Sequence, residues 1–144
     1  MIVNFVFDKI SAEKTGKIVG NVNINHNFNI KGVEKTDISF QGSKPALKIL
    51  FDFKVDYEPK IGNIEMNGHI IYYESEEEIN KVMDLWKKEK KLSMGLTTLV
   101  ANTILSKANV KALMLSQEVN LPPQIQLPKV TPAKSDSKRS EYIG

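Results

Sequence analysis

The periodicity of this chain changes once, at Ser75. Before it, apolar residues recur at every second position; after it, they recur at helical spacing. A period of two belongs to strands and a period of 3.6 to helices, so the switch requires a sheet first and helices second. The clearest strand is "LKILFDFKVDY", where Ile49, Phe51, Phe53, Val55 and Tyr57 share one face against Lys48, Asp52, Lys54 and Asp56. "IEMNGHIIYY" places Ile64, Met66, Ile70 and Tyr72 together, and "EPKIGN" supplies Pro59 and Gly62 for the hairpin between the two. Upstream, Val3, Phe5 and Phe7 predict a short first strand, and residues 18–30 a second, reached through a turn at Gly16. "KGVEKTDISFQGSKPA", with Gly32, Gly42 and Pro45, reads as a loop holding a short extended piece at Ile38 to Phe40. Four strands with short or medium connections favour an antiparallel sheet with one buried face. Yet Ile70 and Ile71, and Tyr72 and Tyr73, are adjacent pairs that point to opposite sides. The fourth strand is therefore apolar on both faces and needs cover on the second.

From Ser75 the segment "SEEE" reads as a capping box, with Ser75 as N-cap, Glu78 reaching back and three acids at the positive end of the helix dipole. Ile79, Val82, Met83 and Trp86 carry that helix, and "KKEKK" at 87–91 closes it. Ser93 and Gly95 mark a joint to a second helix at roughly 94–118. There Leu96, Leu99, Val100, Ile104, Leu105, Ala108, Ala112, Leu113 and Leu115 form an apolar surface broader than one sheet face requires. "LPPQIQLPKVTP" then carries four prolines in twelve residues, which predicts an extended strap laid on the body through Leu121, Ile125, Leu127 and Val130. The expected organisation is one α+β domain over residues 1–130 and a mobile tail over 131–144.

Residues 20–30, "GNVNINHNFNI", place Asn21, Asn23, Asn25, Asn27 and Asn29 on one face of a strand. Asparagine is a poor strand former. Either this is compositional drift on a solvated face, or the face meets another polar surface such as a second subunit.

The composition excludes several chemistries. The 144 residues contain no cysteine, so disulfides, thiolate metal sites and thiol catalysis are absent. "MIVNFVFDKI" lacks the basic and long apolar regions of a signal peptide, and no run approaches 18 apolar residues; a cytoplasmic location without membrane insertion is expected. The net charge of +3 is almost all lysine, with Arg139 the single arginine, which argues against a nucleic-acid reader. His26 and His69 sit inside strand patterns without metal-ligand spacing, Glu76 to Glu78 serve the helix start, and "KTGK" at 14–17 lacks the first glycine of a phosphate loop. The lysines at 87–91 have no interleaved aromatics of the kind that stack bases. No catalytic set emerges; the chain is not expected to be an enzyme, and no metal or cofactor is expected.

The order of elements resembles the SecB family, export chaperones that hold unfolded precursors. "FVFDKISAE" looks like the family's opening strand, "LKILFDFKVDYE" like its alternating third and "GNIEMNGHIIYY" like the fourth. "VNLPPQIQL" is similar to the N-L-x-P segment after the long helix, here Asn120, Leu121 and Pro123. The chain also resembles small archaeal SecB-like proteins sharing a Y-x-P…G-x-I…G turn and an L-P-P ending. Those are matched by Tyr57, Pro59, Gly62, Ile64 and Gly68, then by Leu121, Pro122 and Pro123. The resemblance covers roughly residues 3–130. It implies a SecB-like fold with both helices on one sheet face, and a homotetramer built as a dimer of dimers. It also implies cofactor-free holding of non-native polypeptides in apolar grooves. By position, Tyr57, Tyr72, Trp86, Leu121, Ile125 and Leu127 would line those grooves, and the asparagine ladder would lie at or near a subunit contact. Classical members are acidic whereas this chain is basic, which weakens any implied docking on the translocation motor SecA. The alternative is an oligomeric adaptor whose apolar surfaces are consumed between subunits.

Overall fold

The computed structural model describes residues 1–39 and 41–132. Strands β1 (Ile2–Lys14), β2 (Asn23–Ser39), β3 (Ser43–Glu58) and β4 (Gly62–Tyr72) precede helices α1 (Glu76–Glu89) and α2 (Met94–Glu118). The strands form one antiparallel sheet in the order β1-β4-β3-β2. Because β1 and β2 lie at opposite edges, residues 15–22 are not a hairpin turn but a connection across the ends of β3 and β4. The Thr15 and Gly16 amides both donate to Ile61 O in the β3–β4 turn, at 2.8 and 3.1 Å. A Cβ on Gly16 would stand 2.7 Å from Lys60 O, so only glycine passes there.

β4 matches the sequence pattern, and β3 does from Leu47 on but starts at Ser43, inside the expected loop. β2 starts at Asn23 rather than 18, and β1 and β2 run on past their expected ends for a shared reason. The register of β1 shifts between Ile2 and Asn4 and again between Phe7 and Lys9, and that of β2 between Ile30 and Gly32. Each bulge inserts one residue and reverses which side chains face inward. In β1 the inward set passes from Phe5 and Phe7 to Ile10 and Ala12, paired with Met66 and Ile64; in β2 it passes from Phe28 and Ile30 to Val33 and Lys35. Beyond the bulge the alternation is out of phase, so Ser11–Lys14 and Lys31–Ser39, expected as turn and loop, are strand. Phe40, the end of the expected extended piece, falls outside the described residues. Pro45 belongs to β3 at a point where only β2 is its neighbour, since the β3–β4 pairing starts at Leu47. A residue without an amide hydrogen is tolerated on such an edge. The bulges at Asp8 and Lys31 flank one row, Ile30–Phe51–Gly68–Phe7, in which the rings of Phe7 and Phe51 pack with that of Phe5, centroids 5.0–6.3 Å apart.

Both helices cover the inner face, α1 over β2 and β3, α2 over β3 and β4. β3 contributes Leu47, Ile49, Phe51, Phe53, Val55 and Tyr57, each at most 1% exposed, and Ile64, Met66 and Ile70 extend the core across β4. Ser75 caps α1 by accepting from the Glu78 amide at 3.3 Å. The Glu78 carboxylate pairs with Lys81 at 3.3 Å, one turn on, so the expected capping box is made in one direction only.

Candidate interaction surface

The buried residues of α2 are Leu96, Val100, Ile104, Ala108, Ala112 and Ser116, four apart throughout. At 3.6 residues per turn, a step of four overshoots one turn by about 40°, so the buried line rotates by about 200° along the helix. At its C-terminal half, α2 presents small side chains inward and leaves Val110 (62% exposed) and Met114 (56%) on the opposite side. Leu99 (42%) is exposed on the same side three turns earlier, with Thr103 and Ser106 between it and Val110. Sequence reading found the excess apolar surface and Leu99 but not Val110 or Met114. The strict spacing of four in the buried set was the signal that could have shown them.

The strap following α2 is anchored at its start. The Leu121 amide donates to Ser116 O at 2.8 Å, and the Leu121 side chain packs against Gly62, where a Cβ would clash with Glu13 O and crowd the leucine. The Tyr57 hydroxyl donates to Pro122 O at 2.7 Å. Gln124 Nε2 donates to Asn109 O at 2.8 Å, while Gln124 Oε1 is buried without a partner. Beyond Gln124 the chain lies open: Ile125 is 37% exposed, Leu127 43% and Val130 98%. Gln124 thus fixes the strap to α2 at Asn109, the residue before Val110.

The six positions expected to line a groove therefore separate. Tyr57 and Leu121 are core residues, 1% and 4% exposed, whose work is to hold the strap; burial pushes the Tyr57 phenol up to about 12. Ile125 and Leu127 lie on the open strap. Tyr72 is half-buried at the other end of the sheet, opposite Leu47. Ten residues of β3 separate that row from Tyr57, about 33 Å. Burial and then the Glu74 carboxylate raise the Tyr72 phenol, whose hydroxyl reaches Glu74 at 3.5 Å. Trp86 is half-buried on α1 with Lys90 Nζ 5.9 Å from its ring.

The outer sheet face is of another character. Asn23, Asn25, Asn27 and Asn29 are exposed there opposite Glu58, Asp56, Lys54 and Asp52; Asn21 precedes β2. Asn29 Nδ2 donates to Asp52 Oδ1 at 3.2 Å. A polar concavity of about 370 Å³ on this side is lined by Asn27, Asn29, Lys31, Asp52, Lys54, Glu65, Asn67 and Lys9. Towards the other end of the sheet, Leu50, Ile71 and Val6 are half-buried on this same face, which is the second apolar side foreseen for β4. His69 Nδ1 meets Asp8 Oδ2 at 2.7 Å, and Asp8 is the residue extruded by the β1 bulge; sequence reading had no means of pairing them. No group of three metal-ligating side chains occurs among the described residues, and no helix among them is long and apolar enough to cross a membrane.

Neither a family model nor a curated protein matches the chain. Among solved structures it is similar to a SecB-like chaperone of Mycobacterium tuberculosis, determined in complex with a ChAD peptide from the HigA1 antitoxin. The two share 12% identity over 91% of this chain and 89% of that one, with a TM-score of 0.53. At this identity the likeness establishes the fold: a SecB-like α+β arrangement of four antiparallel strands followed by two helices.

Proposed function

We propose that this protein is an ATP-independent holdase that binds exposed apolar stretches of unfolded polypeptides. The observation that carries the reading is the set of large apolar side chains left exposed on α2, Leu99, Val110 and Met114, and on the strap that follows it, Ile125 and Leu127. Exposed apolar surface that gathers on one part of a fold marks an interaction site. Extended, unfolded chains suit the site, because exposed side chains along a helix and an open strap offer a long contact rather than a closed pocket. The structural neighbour, a chaperone held with a peptide, supports the same chemistry. Trp86 and Tyr72 are proposed as secondary contacts that come into reach through neighbouring copies of a homotetramer, since one chain separates them from the strap. Tyr57 and Leu121 are proposed as supports of the site and not as contacts.

The test is light scattering from an unfolded client diluted into buffer with the purified protein and without nucleotide. Suppression of aggregation that saturates at a defined stoichiometry is expected. Unaltered aggregation in the presence of folded protein would sink the proposal. A second reading rests on the same side chains: an oligomeric adaptor would seal them between subunits. Binding of an apolar dye to the native protein separates the two, because a sealed oligomer gives no fluorescence gain.

A further inference from the structure

Charge is spread unevenly along the chain. Residues 87–117 hold six of its 20 basic side chains and one of its 17 acids, Glu89, so the remainder of the chain is net negative. No Asp or Glu occurs between Glu89 and Glu118. Four of the six lysines, Lys87, Lys88, Lys90 and Lys91, stand exposed at the corner where α1 turns into α2. The α1 dipole explains two of them, since Lys87 and Lys88 lie in its last turn, but Lys90 is the C-cap and Lys91 follows it. Among the described residues Glu89 alone pairs with any of the four, 3.6 Å from Lys91. The first turn of α2 holds no acid either. Leu92 is buried and roots the corner. Met94 projects from it, 87% exposed, more than any other large apolar side chain of the two helices.

We propose that this corner docks on anionic lipid bilayers, with the four lysines among the headgroups and Met94 beneath them. Clustered lysines are drawn to a negatively charged leaflet once they come within a Debye length of it. Lysine is a compact point charge without the fork of arginine, so it suits a diffuse layer of negative charge better than it reads single phosphates or bases. A nucleic acid would use the lysines but leave Met94 idle, because stacking on bases calls for aromatic rings. A bilayer uses both: an apolar side chain flanked by lysines settles at the boundary between headgroups and acyl chains. One such side chain anchors weakly, so the contact is peripheral and reversible. Met114 lies twenty residues along α2 from Met94, about 30 Å. Docking at the corner therefore leaves the exposed apolar side chains of the far half of α2, and the strap beyond it, clear of the membrane.

The test is co-sedimentation of the full chain with vesicles of phosphatidylglycerol and, separately, of phosphatidylcholine. Binding to the anionic vesicles that weakens with added salt, and none to the neutral ones, is expected. Lys90→Asn with Lys91→Gln leaves the two dipole lysines in place, and asparagine suits the left-handed backbone at position 90. This pair is expected to bind about 25-fold more weakly, at about fivefold per lysine. Lys14→Gln with Lys17→Gln removes the same charge from exposed positions at and after the end of β1 and is expected to bind as wild type does. Met94→Ser is expected to weaken vesicle binding at least about threefold. Equal losses in the two lysine pairs, an unaffected Met94→Ser, or no binding to anionic vesicles overturns the proposal. Tighter binding to single-stranded RNA than to the vesicles, unchanged in Met94→Ser, would assign the corner to nucleic acid and overturn it as well. No client is present in these measurements, so the holdase reading and this one can fail separately.

Discussion

Tyr57 is held by apolar burial around its ring and by the hydrogen bond from its hydroxyl to Pro122 O. Removing the hydroxyl with Tyr57→Phe costs about 1 kcal/mol, the worth of one such bond, read as a lower denaturant midpoint. The phenol also creates a pH dependence. It ionises near 10 in an unfolded chain and at about 12 when folded, so the folded state keeps its proton more firmly. The stabilisation is complete below pH 10 and is lost as pH rises through 12. Wild type should therefore lose more stability than Tyr57→Phe between pH 10 and 12; parallel curves would refute this. Gly68 is constrained by space: a Cβ there would lie 2.0 Å from Val6 O. Backbone cannot rotate away, so Gly68→Ala should cost about 3 kcal/mol by thermal or chemical unfolding, at the upper end for overpacking. Neither role was legible in the sequence. Tyr57 reads as well for an open groove as for a core, since both use large apolar side chains. The Val6 carbonyl reaches Gly68 only through the register of a strand sixty residues away.

Elements were legible where their period was unbroken. β3 and β4 alternate cleanly, and α1 and α2 start at serines that cap them, so their existence followed from the residues. The start of β3 did not, because Gly42 and Pro45 read as breakers although Ser43–Ala46 pairs with β2. The tails of β1 and β2 did not, because Asp8 and Lys31 reverse the alternation and a phase change looks like its loss. α2 hid its exposed apolar side chains in a similar way, since a buried line that rotates about 200° leaves no single polar face to recognise. The strap divides at Gln124. Leu121→Ala should cost about 2–5 kcal/mol, as for a buried leucine, whereas Ile125→Ala and Leu127→Ala should fall within about 0.5 kcal/mol of wild type. Urea unfolding midpoints of the three variants check the division; equal losses at all three would mean that the distal strap is as firmly packed as its root.

At the scale of the molecule, the sheet and helices build one core and leave two surfaces of opposite chemistry. The inner layer carries the apolar ridge of α2 and the strap; the outer face carries asparagines and paired charges, with an apolar remainder around Leu50 and Ile71. The order of a sheet followed by helices was visible from the single change of period, and the resemblance to the SecB fold is upheld by the structural neighbour. The location of an exposed apolar surface was not, because exposure depends on which faces the sheet consumes. The central claim is that this ridge holds unfolded chains. The most direct measurement is a fluorescence titration of a labelled unfolded polypeptide against wild type and against the Val110→Gln, Met114→Gln variant. Both positions are exposed, so the unfolding midpoint should not move. The account predicts at least about tenfold weaker binding for the variant, equivalent to the loss of roughly 1.4 kcal/mol. Equal affinity at an unchanged midpoint would contradict it.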